Sequence, residues 1–180
     1  RPPRSTLFPY TTLFRSAQLA IDVSYPRSEY SQSWGTCTTI INCGQDFSKP
    51  GYIEAKRIAV ERSTPDPAVG ALASCDRFVA TIYRATGTDL TFPWGAVSHQ
   101  RIYMESSPNW EMVSCQDRLP GDVLVTDGHI MIYVGVVEGQ DSLASASWRE
   151  RTAAIGPVSC NGFYYNADGS TNVEGWRKVK

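Results

Sequence analysis

A thiol, an imidazole and a hydroxyl that follow one another as Cys75, His129 and Ser145 can run nucleophilic chemistry if the fold brings them together. Cys75 opens the stretch SCDRFVATIYRATG, Ser74 to Gly87, which reads as a helix. Ser74 is an acceptable N-cap, Asp76 puts negative charge at the positive end of the helix dipole, and Gly87 is a natural stop. Cys75, Phe78, Val79 and Ile82 recur at i, i+3, i+4 and i+7, so the thiol belongs to the face that packs inward. At a helix start it meets the dipole and unpaired N–H groups, and both favour the thiolate, the form that attacks a carbonyl carbon. The same place suits a cysteine that is simply buried, as cysteines commonly are.

The elements that must position the other two groups lie downstream. Leu119-Pro120-Gly121-Asp122 is a turn leading into DVLVT, then Asp127-Gly128, then HIMIYVG, two β-rich runs joined as a hairpin. Alternation puts His129, Met131 and Tyr133 on one face and Ile130, Ile132 and Val134 on the other, with His129 at the start of a central strand. A third run, Leu143 to Ser147, follows the Glu138-Gly139 turn and places Leu143, Ser145 and Ser147 on a common face; a triad role for Ser145 would turn its side chain toward the cysteine helix. FYYN and GWRKVK supply further strands. The other histidine, His99, falls in a short helix around Val97 to Met104 and reads as exposed or capping; Ser107-Pro108-Asn109 is a turn.

A chain of 180 residues, 42% hydrophobic, is long enough for one domain with a real core and short for two. A net charge of −1 without a dense Lys/Arg run argues against nucleic acid or a polybasic membrane contact, and no apolar run approaches the roughly 20 residues of a membrane span. The five cysteines have no Cys-x-x-Cys spacing, which argues against a structural metal site. Cys37 with Cys43, and Cys115 with Cys160, could close two disulfides, leaving Cys75 as a free thiol in an exported protein; five reduced, buried cysteines are the alternative.

The first sixteen residues, RPPRSTLFPYTTLFRS, show neither helical nor strand periodicity and lack the zones of a signal peptide. They resemble the translated read-through of a sequencing adapter, so a disordered, non-native segment is expected there, with the true N-terminus missing. A single domain then covers 17–180, with a helical and loop part over 17–70 and the core over 71–180. AQLAIDV could be a short helix, Ser24 to Asp46 is mostly loop, and YIEAKRIAVER has the pattern of an amphipathic helix.

A cysteine helix followed by an antiparallel sheet with a histidine near a strand start is the chain order of papain-like cysteine hydrolases. SCDRFVATIYRATG, LPGDVLVTDGHIMIYVG and LASAS together resemble the motifs of the NlpC family of bacterial cell-wall cysteine peptidases, which is related to CHAP domains. The resemblance covers roughly Ala71 to the end and implies an α+β, papain-like fold with N-terminal helices packed on a central antiparallel sheet. It implies hydrolysis of amide bonds in peptidoglycan stem peptides, with Cys75 as nucleophile, His129 as base and the Cys75 backbone N–H as oxyanion donor. Ser145 stands where the family carries His, Asn or Gln, and Ser-Cys-Asp-Arg stands where it carries Asp-Cys-Ser-Gly. The implied protein is a secreted or wall-associated bacterial monomer that needs no cofactor. Arg149 and Arg151 could line a cleft for carboxylate-rich substrates or form a solvated charge run. Two other functions fit the same residues: a disulfide-stapled cell-wall-binding module without the chemistry, and an amidase or acyltransferase using the same dyad.

Overall fold

The computed structural model describes residues 8–24, 74–147, 152–158 and 173–180. Among them are three α-helices, α1 (Phe8–Asp22), α2 (Cys75–Thr86) and α3 (Val97–Ser106), and six strands. The strands are β1 (Trp110–Val113), β2 (Val123–Thr126), β3 (His129–Val137), β4 (Gln140–Ser147), β5 (Thr152–Pro157) and β6 (Glu174–Lys178). They form one antiparallel sheet in the order β1-β6-β2-β3-β4-β5. This is an α+β architecture, and no helix among the described residues is long and apolar enough to cross a membrane.

The hairpins form where the turn residues require them. Thr126 pairs with His129 across Asp127-Gly128, and β3 joins β4 through Glu138 and Gly139, both at positive φ (53° and 77°). Two left-handed residues in a two-residue loop give the turn whose twist matches the strands. In α2, Ser74 is extended and its carbonyl accepts the Phe78 N–H at 2.8 Å, but its side chain caps nothing. At the other end Gly87 takes the left-handed conformation, φ 72°, that stops the helix.

Strand alternation divides the apolar residues between two clusters. Val123, Val125, Ile130, Ile132, Val134, Ala144 and Ala146 face the helices, meeting Leu13, Ala17 and Ala20 of α1 and Phe78, Val79 and Ile82 of α2. Leu124, Met131, Tyr133 and Leu143 form a smaller cluster on the opposite face. A third centre lies beside α3, where the rings of Tyr83, Phe92 and Trp110 stand 5.3 to 5.5 Å apart. Beneath them Asp89 accepts from Thr91, Tyr103, Trp110 Nε1 and Lys178 Nζ, the last at 2.8 Å. Burial pushes the Asp89 carboxyl up, but the bonds from Lys178, Thr91 and Trp110 outweigh it and hold it below the usual carboxylate range.

The start of the chain departs from the expectation of a disordered arm through Ser16. From Phe8 onward it is helical; Leu13 and Ser16 are buried, and Ser16 Oγ lies 2.8 Å from Thr86 Oγ1 and 2.7 Å from Thr88 Oγ1. Helix α1 also leans directly on the Pro-Gly-Asp turn. A Cβ on Gly121 (φ +100°) would stand 2.3 Å from the Leu13 carbonyl oxygen, a distance only glycine permits. The helix expected at YIEAKRIAVER, the strand at FYYN and the Cys37–Cys43 pair lie outside the described residues.

Candidate active site

Cys75 occupies the first position of α2, where the N–H groups of Cys75, Asp76 and Arg77 precede the first intrahelical bond, Phe78 N–H to Ser74 O. The thiol is free and buried. The Cys75 and Asp76 amides are directed at the sulfur from its own turn, and the Ile130 backbone N–H is directed at it from β3. The sulfur therefore stands against the start of β3, one residue along the backbone from His129.

These amides do not produce the thiolate expected from the helix position. Burial raises the Cys75 pKa above that of an ordinary thiol, the Asp76 charge adds to it, and the three N–H groups only partly offset the two. His129 shifts in the complementary sense: burial pulls its imidazole down to about 4. Both groups rest neutral near pH 7, so a preformed thiolate–imidazolium pair is not the ground state.

His129 Nε2 lies 2.7 Å from Ser145 Oγ. The register explains the meeting. Ile132 pairs with Ala144, so continuing the ladder sets Met131 opposite Ser145, and His129 reaches it along the diagonal two residues away. The expectation that Ser145 faces the cysteine helix needs correcting. Its neighbours Ala144 and Ala146 belong to the helix-side cluster, so alternation turns Ser145 to the other face of the sheet. Cys75 reaches the start of β3 from one face while the contact between His129 and Ser145 forms on the other.

Arg149 and Arg151 lie outside the described residues. Cys115 is disulfide-bonded and Cys75 is free. Asp122 of the Pro-Gly-Asp turn is fully buried, accepting from the Leu119 N–H and bidentately from Arg177 at 3.0 and 2.8 Å. That turn is held rather than reactive, which fastens the hairpin carrying His129.

One residue close to Cys75 escapes sequence reasoning. Gln100 of α3 is fully buried and donates both Nε2 hydrogens, to the Asp76 carbonyl at 2.8 Å and the Pro93 carbonyl at 3.0 Å. Its trace in the sequence is a polar residue four positions before the buried Met104, on the apolar side of a short helix. The Ile130 amide leaves no trace, since a backbone N–H has no side-chain identity. No family model, curated protein or solved structure matches the chain.

Proposed function

We propose that the chain is a cysteine peptidase that hydrolyses amide bonds in peptidoglycan stem peptides, on a papain-like version of its α+β fold. The observation that carries this reading is that the start of β3 is met by a free thiol on its helix face and carries an imidazole paired with Ser145 on the other. A free thiol at a helix N-terminus meets the Ile130 amide, and the adjacent imidazole is oriented through Nε2 by Ser145. The motif resemblance to the NlpC family supplies the substrate class.

Because both groups rest neutral, His129 works as a general base during attack. With Nε2–H donated to Ser145, Nδ1 is the nitrogen left to take the Cys75 proton, and the mechanism requires it to reach the sulfur around the end of β3 as sulfur bonds to the amide carbon, while the N–H groups of the first turn receive the oxyanion. Collapse breaks the C–N bond, and the same proton leaves with the amine. Water then cleaves the thioester, giving a carboxylic acid and restoring the thiol. The disulfide at Cys115 suits an oxidising compartment such as the cell envelope.

The test is incubation of the folded protein with purified peptidoglycan, with released fragments identified by mass spectrometry. New amine and carboxyl ends from wild type, absent with Cys75→Ala and His129→Ala, are expected. No fragments from folded wild type would overturn the reading. The resting neutrality of both groups favours one competitor, a wall-binding module without chemistry, which would instead co-sediment with peptidoglycan and leave it uncut.

A further inference from the structure

Gln100 does more than fill space beside α2. Its carboxamide joins two backbone carbonyls that belong to different elements: that of Asp76, in the turn that begins with Cys75, and that of Pro93, in the segment entering α3. The orientation is fixed, because an inverted amide would aim its oxygen at two carbonyl oxygens. It is also held against a cost. Gln100 Oε1 is buried without a hydrogen-bond partner, a cost that the two donated bonds offset.

We propose that Gln100 is a positioning residue for Cys75, clamping the first turn of α2 so that the sulfur stands buried against the start of β3. The Ser74 side chain adds no capping bond to that turn. Releasing the clamp exposes the Asp76 and Pro93 carbonyls, which draw water into the turn, and the sulfur becomes hydrated with them. Where catalysis is concerned the proposal rests on the peptidase reading; where the thiol is concerned it does not.

The experiment follows the rate of Cys75 alkylation by iodoacetamide against pH in the full chain, by peptide mapping. Gln100→Met keeps the length and removes both donors. Gln100→Leu also removes both donors without adding charge, so it serves if the first variant folds poorly. Met104→Ala, on the same helix and fully buried, supplies a loss of stability that does not touch the clamp. With the clamp gone, the Cys75 midpoint should fall by about one pH unit toward the ordinary thiol value, raising the rate near pH 7 about tenfold. Met104→Ala should leave the midpoint where it is. If the enzyme cleaves peptidoglycan, kcat falls in the Gln100 variants with KM little changed.

An unchanged midpoint in a folded Gln100 variant would overturn the proposal, and so would an equal shift in Met104→Ala. Failure of the peptidase reading looks different: wild type releases no fragments while the thiol midpoint still moves with Gln100.

Discussion

His129 Nε2 and Ser145 Oγ stand 2.7 Å apart, and in the proposed mechanism that contact selects the ring nitrogen that acts as base. When the hydroxyl accepts from Nε2–H, the proton acceptor is Nδ1. The bond is between neutral groups and worth about 1 kcal/mol, so Ser145→Ala should lower kcat/KM on a stem peptide roughly fivefold and leave the fold intact. A rate equal to wild type, with Cys75→Ala inactive, would mean that something else orients the ring.

The imidazole of His129 should also leave a mark on stability. Its pKa is depressed to about 4 in the folded protein and returns to the ordinary 6.5 on unfolding, so between these values the unfolded chain binds the extra proton. The contribution is fully present above pH 6.5 and is lost as pH falls toward 4, to a total of up to about 3 kcal/mol. Urea melts of wild type and His129→Gln across that window should diverge at neutral pH and converge in acid. Parallel curves would place the acid sensitivity elsewhere.

Cys75 is expected to alkylate slowly in the folded protein. Burial both shields the sulfur and raises its pKa, so at pH 7 the folded thiol should react at least tenfold more slowly than the same residue in denaturant. Faster labelling in the folded state would mean that the amides of the helix start outweigh desolvation.

Helix α1 should prove integral. Leu13→Ala removes a buried side chain from the helix-side cluster and should cost about 2 to 4 kcal/mol. Gly121→Ala combines a left-handed backbone with a collision against Leu13 O and should cost at least about 2 kcal/mol. Deleting residues 1–16 should lower the melting temperature by many degrees; equal melting of the two proteins would show that α1 contributes nothing.

The hairpin from Val123 to Val137 was legible because strict alternation, a Pro-Gly turn and an Asp-Gly dipeptide agree on one answer, and its two faces divide as alternation predicts. Of helix α1 only the second half, at AQLAIDV, was legible, for a specific reason. Its buried residues Leu13, Ser16, Ala17 and Ala20 recur at i, i+3, i+4 and i+7, and a boundary drawn after Ser16 cuts that pattern in two. Strands β1 and β5 lie at the sheet edges and lack a strong apolar alternation, so only their pairing with β6 and β4 identifies them. At the site, residue order and type pointed to Cys75, His129 and Ser145, and their protonation did not follow. The helix dipole can be read from position, whereas the opposing desolvation depends on packing that no local window contains.

The sheet order carries a consequence for synthesis. β6, the last of the six strands to leave the ribosome, is not an edge: it sits between β1 and β2 and carries Lys178, whose ammonium neutralises the buried Asp89. Until it emerges, β1 and β2 have no common neighbour and the carboxylate under the aromatic rings has no counter-charge. Folding of this domain therefore waits on Glu174 to Lys178, and a nascent chain stalled before Glu174 should remain open to protease while one that includes them resists it.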